Sequence, residues 1–392
     1  MRALRFDRKP LRYAAAFLAG SLSPGKGAAV GPLALVDDDP PALPGPDWVT
    51  IKPRLAGICG SDLSTVDGTS SRYFEPIVSF PFVPGHEVVA DGPDGARVVV
   101  EPVLGCVTRA IDPPCPACAR GDLGNCERLA FGLLEPGLQT GFCCDTGGGW
   151  STAMVAHPSQ LHRVPDAMSD EAAVMVEPTA CAVHAALAAG VHDGDTVVVL
   201  GSGTLGLLTI AALRHFTPAG TIIAAARYPE QKRWARTFGA TTVCDPPELA
   251  RTVRRATGSL AYREQLTGGA DVVVDCVGSE GSITESLAVV KPRGQVTLVG
   301  MPAGVKLNLT TLWHRETKLV GAYAYGTETL GTGERRRTFD LAFELVAAAG
   351  LERLVSATYP LRDYKAALEH AATAGRRGAV KVCFDLRSEK GR

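Results

Sequence analysis

The chain has 392 residues, 46% of them hydrophobic and 21% charged, which is enough for two cores and more than one compact domain normally holds. With 40 basic against 41 acidic side chains the formal net charge is -1, so no global field draws the chain to nucleic acid or to an anionic membrane. A small-molecule partner fits better, and no segment has the apolar length of a membrane span.

In chain order, MRALRF alternates like an opening strand. The longer stretch MRALRFDRKPLRYAAAFLAGSL sets basic residues ahead of an apolar run, but that run, Ala14 to Leu18, is too short for a secretory leader. A cytoplasmic protein is expected. Gly20 to Pro46 reads as a hairpin or surface loop without an assigned role. Up to about Pro165 the pattern is of short strands broken by Gly and Pro, as in DWVTIKPRLAG, FPFVPGHEVVA and GARVVVEPVLG. After Glu177 it changes to buried strands alternating with helices, from TVVVLG and TLGLLTIAALRHF to QVTLVG, which is βαβ texture. Beyond about Tyr323, two helix-like segments and the strand-like AVKVCFDL are placed to rejoin the first domain. The expected organisation is 1–177, then an inserted dinucleotide domain over 178–322, then a return segment 323–392.

Metal chemistry is written into the first part. Cys59 in GICGSD, His86 and Glu87 in PGHE, and Glu177 in MVEPTACAVHA supply thiolate, imidazole and carboxylate. These suit a tetrahedral Zn²⁺ that keeps its fourth position for water or substrate. Cys181, one helical turn after Glu177, is the rival third ligand. Asp62 is placed to fix the second ring nitrogen of His86 or to cap its own loop. Cys115, Cys118 and Cys126 form a second cluster needing one more ligand. Cys106 offers a thiolate but is separated from Cys115 by a long spacer; Asp112 has the shorter gap. An odd cysteine count, eleven in all, argues against a disulfide framework and for metal in a reducing compartment. The vicinal pair Cys143 and Cys144 fits no metal spacing and reads as packing.

Gly201, Ser202, Gly203, Thr204, Leu205 and Gly206 form GSGTLG between TVVVL and an apolar helix. That is the context a dinucleotide fingerprint requires: Gly201 for the tight turn, Gly203 for approach of the pyrophosphate, Gly206 for packing of helix on strand. The next strand ends in Ala225-Ala226-Arg227-Tyr228, where an NAD-selective protein places an acid. An arginine there suits a 2′-phosphate, so NADP is favoured over NAD; a solvated strand end is the alternative for Arg227.

Taken in this order, GICGSD, PGHE, VEPTACAVHA, the glycine turn and KPRGQVTLVG resemble the medium-chain zinc-dependent alcohol dehydrogenase family, polyol and sugar branch, over nearly the whole chain. The resemblance implies an α/β protein with a GroES-like, mainly β catalytic domain and a Rossmann domain, assembling as a homodimer or homotetramer. It implies zinc-assisted hydride transfer between NAD(P) and an alcohol, polyol, sugar or the corresponding carbonyl. Cys59, His86 and Glu177 would hold the catalytic zinc, Glu87 would support or transiently replace a ligand, and Ser61 would pass on the alcohol proton. Cys115, Cys118 and Cys126, with Cys106 or Asp112, would hold a structural zinc. The relay histidine of some relatives is replaced by Ser64, which leaves the outer proton path undefined. The competing readings are a zinc-free enoyl or quinone reductase of the same superfamily and a non-catalytic NADPH-binding regulator.

Overall fold

The computed structural model describes residues 1–263 and 265–389. The chain divides into two compact units, 1–177 with the return segment from Gly350, and 178–349.

The first unit is built on a seven-stranded sheet. Val49–Gly57 lies at its centre, flanked by the returning strand Lys381–Asp385 on one side and by Val88–Asp91 on the other, both antiparallel to it. Register pairs Cys383 with Gly57 and Val88 with Ala56. The last strand of the chain therefore runs beside the segment that leads into Cys59. Ala3, Leu4, Phe6, Phe82, Trp150 and Phe384 share one buried cluster that packs this end of the sheet.

The segment Gly20–Pro46 is more ordered than the loop expected for it. A helix Pro10–Leu22 runs into it, and a short helix Gly27–Val30 precedes a strand Leu33–Asp37 that pairs antiparallel with Arg2–Phe6. Pro10 suits the first helical turn, where its missing N–H costs nothing, and the alanine-rich run after it has high helix propensity. The turn after the helix is fixed by the buried Asp67 carboxylate, which accepts the Gly25 and Gly27 amides at 2.7 and 2.9 Å.

The second unit holds six parallel strands in the order Thr242–Cys244, Thr221–Ala225, Thr196–Leu200, Ala270–Asp275, Val290–Leu298, Lys318–Gly321. Val197, Val198, Val199, Val273 and Val274 are fully buried, as strands covered on both faces must be. Strand order reverses between Thr196–Leu200 and Ala270–Asp275, and the crevice beyond their carboxyl ends is where such sheets bind ligands. The unit closes at Ala349, not at 322. Helix Thr338–Ala349, which the sequence reading assigned to the return segment, packs on helix Thr204–Phe216, and His215 Nε2 lies 3.1 Å from Glu344 Oε1 between them. Its apolar residues Phe339, Leu341, Leu345 and Val346 are buried there, so its hydrophobic face belongs to this unit.

Candidate active site and metal centres

Cys59 is the N-cap of helix Gly60–Val66, and Asp62 in the first turn reaches back to accept the Cys59 amide through Oδ2 at 2.9 Å. Its other oxygen lies 3.4 Å from His86 Nδ1. Asp62 thus caps the helix and faces the imidazole at once, one oxygen for each task. His86 and Glu87 sit in the turn that enters the central sheet, both buried. Burial disfavours the imidazolium, but Asp62 and Cys59 outweigh it and hold the His86 pKa well above the ordinary histidine value. The ligand atoms of Cys59, His86 and Glu87 come within 4.8 Å of one another, and a soft thiolate, an imidazole and a carboxylate are a donor set for zinc. Ser61 is half-buried in the same first turn. Glu177 is buried in the first turn of helix Val176–Ala188, and Cys181 lies one turn further along the same helix.

Glu87 has a partner that the sequence reading missed. Lys381 Nζ meets its Oε2 and donates to the Ile58 carbonyl at 3.3 Å. Burial opposes the ammonium, but Glu87 and Cys59 raise the Lys381 pKa above its ordinary value. Gly57 is required by this packing, because a Cβ there would stand 1.9 Å from Glu87 Oε2. The available signal was a lone lysine inside the apolar run AVKVCF, a cation that burial tolerates only when paired.

In the lobe, the sulfurs of Cys106, Cys115, Cys118 and Cys126 gather within 4.8 Å. Asp112 is outside the group. All four are free thiols, and the Cys106 and Cys126 sulfurs are 3.8 Å apart. A tetrahedron with Zn–S bonds of about 2.3 Å has S···S edges of about 3.8 Å. Amides of Cys115, Cys118 and Arg128 already donate to the sulfurs of Cys106, Cys115 and Cys126 at 3.3 to 3.5 Å, which suits thiolates. The set fits a closed structural zinc.

In the second unit, Gly201 turns at φ +91°, Gly203 caps helix Thr204–Phe216, and a Cβ at Gly206 would meet the Gly201 carbonyl oxygen at 1.8 Å. A Cβ at Gly203 would meet nothing within 4 Å, so open space stands before the helix N-terminus, as a pyrophosphate requires. The Ser202 hydroxyl points inward, donating to the Ala225 carbonyl at 3.0 Å, so its side chain secures the turn. Thr204 and Leu205 are half-buried in the first turn of the helix. Arg227 is exposed just past strand Thr221–Ala225 and makes no ion pair among the described residues.

The alcohol dehydrogenase GroES-like domain family matches residues 45–166, and the zinc-binding dehydrogenase family matches residues 204–337. A protein named "Probable D-xylulose reductase A" from Arthroderma otae is 31% identical over 342 residues, covering 84% of this chain and 88% of that protein. The chain belongs to the medium-chain zinc-dependent alcohol dehydrogenase family. Sorbitol dehydrogenase of Bacillus subtilis is 28% identical over 341 residues, 83% of this chain and 86% of its own. The crystal structure of 2R,3R-butanediol dehydrogenase from Bacillus subtilis superimposes with a TM-score of 0.71 at 22% identity, covering 98% and 99% of the two chains; it shares the fold. The protein is a zinc-binding NAD(P)-dependent alcohol or polyol dehydrogenase.

One further residue of this dehydrogenase went unread in the sequence. Asp275, fully buried at the end of its strand, accepts the Val277 and Gly278 amides through Oδ1 at 2.8 and 3.1 Å and the Ser282 hydroxyl through Oδ2 at 2.8 Å. It shapes the loop whose Val277 side chain a Cβ on Gly201 would strike at 2.4 Å. The wall opposite the glycine turn therefore rests on one carboxylate. The signal was an acid closing the apolar run DVVVDCVG.

Proposed function

We propose that this dehydrogenase oxidises a polyol or sugar alcohol, or reduces the matching carbonyl, with NADP as the preferred cofactor. The observation that carries the reading is the convergence of Cys59, His86 and Glu87 beneath Asp62 and Lys381. Zinc bound there would polarise the substrate oxygen and make its proton easier to lose. Cys59 and His86 would be its permanent ligands. Glu87 is already committed to a buried ammonium, so it is the weaker donor, and Glu177 is the candidate for the remaining permanent position. A carboxylate in that position is similar to the polyol branch, and relatives named for sorbitol and xylulose support the same substrate class. Asp62 holds the His86 ring in one orientation, and Ser61 is the group placed to take up the alcohol proton.

Cys106, Cys115, Cys118 and Cys126 would hold the structural zinc. Gly201, Gly203 and Gly206 would admit the pyrophosphate, and Arg227 would pair with the 2′-phosphate. The free cysteines support a cytoplasmic site of action. Strand Lys318–Gly321 is a sheet edge whose Leu319 and Val320 are exposed, with exposed Trp313 nearby in sequence; such an edge invites pairing with a second copy. A cofactor-reduction screen across alcohols, polyols and aldoses, with metal content measured on the same preparation, tests the whole reading. An active preparation free of transition metal and indifferent to chelators would reject it.

A further inference from the structure

We infer that Arg109 is the internal counter-cation of the four-thiol lobe and sets how tightly that lobe holds its metal. The inference rests on the zinc reading of the lobe given above. Arg109 lies in the spacer Val107–Pro114, which separates Cys106 from Cys115 by more than the usual two-residue gap. Its side chain is fully buried. Nε donates to the Leu104 carbonyl at 3.1 Å, Nη1 to those of Phe131, Leu134 and Glu135 at 3.1, 3.0 and 3.3 Å, and Nη2 to those of Glu135 and Gly137 at 3.3 and 2.7 Å. Every acceptor is a neutral carbonyl. No carboxylate among the described residues stands within ion-pair distance of this guanidinium.

A buried guanidinium that gains only neutral acceptors is expensive, since its desolvation is not offset by an opposite charge. The groups that would interact favourably with its charge once ionised are the Cys143, Cys126 and Cys106 sulfurs and the Asp145 carboxylate, and that carboxylate already accepts the Glu135 amide at 2.7 Å. Cys106 and Cys126 are two of the four lobe sulfurs. A zinc held by four thiolates carries a net charge of minus two by simple addition of formal charges, so one guanidinium buried at the base of the lobe would offset half of it. The backbone of Arg109 takes part in the same clamp: its N–H donates to the Cys106 carbonyl at 3.2 Å and its own carbonyl accepts the Leu133 amide at 2.9 Å. The long spacer thus delivers a charge to the lobe while tying its base to the loop 131–137. Arg109 is assigned as a positioning residue, acting through the lobe.

The test is made on the full chain in a Cys59→Ala background, so that only lobe zinc is counted. Zinc transfer to a chromogenic chelator and the thiolate-to-cobalt charge-transfer band of the cobalt-loaded protein are followed in Arg109→Met, Arg109→Gln and Arg109→Lys. Loss of an outer-sphere partner weakens metal binding roughly 10- to 100-fold. That loss is expected for Met and for Gln, which keeps donors but no charge, while Lys, which keeps the charge with a poorer fork, holds metal better than either. If Met does not fold, the Lys and Gln comparison decides. Met and Gln variants as tight as the parent, or Lys no tighter than Gln, would overturn the inference alone. A parent whose lobe takes up neither metal overturns the zinc reading and this inference with it.

Discussion

Lys381 and Glu87 form an ion pair whose side chains are 2% and 1% exposed, one residue along from His86. Two opposite charges in so dry a place depend on each other: removing one partner leaves the other uncompensated. Lys381 also grips the Ile58 carbonyl, immediately before Cys59, so one ammonium steadies both sides of the metal cluster.

Lys381→Met should therefore lower stability by about 3 to 5 kcal/mol and reduce kcat, while the freed Glu87 carboxylate competes for the zinc and slows its release to a chelator. Denaturant unfolding, steady-state kinetics and zinc-release rates measure the three effects. A variant with parental stability and parental kcat would show that the pair is incidental.

The two metal centres should separate by mutation. Cys59→Ala or His86→Ala is expected to abolish turnover while leaving zinc in the lobe, because the lobe thiols form a group of their own. Cys118→Ala should act on folding instead, since a structural site contributes its binding energy to the folded state. Metal content and thermal unfolding of each variant check this; loss of both ions from Cys59→Ala would mean that the centres are coupled.

What could be read from the sequence follows the range of the forces concerned. Cys59, His86 and the GSGTLG turn lie in short motifs whose chemistry is local, and the helix, strand and cap that present them are neighbours in the chain. Lys381 is different: its meaning comes from the pairing of Cys383 with Gly57, a contact between strands more than three hundred residues apart. Asp275 is intermediate, because its hydrogen bonds are local but their purpose depends on Gly201. The second domain boundary depends on a distant contact in the same way. The segment TFDLAFELVAAAG reads as an amphipathic helix, yet nothing in its own residues says that its apolar face meets Thr204–Phe216. The helix Pro10–Leu22 was hidden for another reason: its Leu11, Leu18 and Leu22 are exposed, so it lacks the usual polar outer face.

Glu177 and Cys181 compete for one role, and metal titration distinguishes them. Glu177→Ala should weaken retention of the catalytic zinc, whereas Cys181→Ala should leave it nearly unchanged. The opposite ranking would give the ligand position to Cys181.

The exposed edge Lys318–Gly321 predicts self-association through strand pairing. Val320→Lys places a charge on that edge, a device that blocks such pairing, and should shift the protein toward monomer in sedimentation velocity without loss of cofactor binding. An unchanged sedimentation coefficient would move the interface elsewhere.

If Arg227 pairs with the 2′-phosphate as proposed, cofactor choice turns on it. A charge-assisted hydrogen bond contributes about 1.5 to 3 kcal/mol, so its loss should cost roughly tenfold or more in affinity. Arg227→Ala is expected to weaken NADP by that factor and to leave NAD nearly untouched. Moving preference toward NAD requires an acid nearby, and the structure decides where it can go. Ala226 is 1% exposed, and a carboxylate at that position would be desolvated without a partner. Arg227 itself is exposed, so Arg227→Asp removes the phosphate partner and presents an acceptor to the ribose diol in one step. Dissociation constants for both cofactors in the parent and both variants check the argument. A parent that prefers NAD, with no selective loss of NADP in Arg227→Ala, would assign Arg227 to the solvated strand end instead.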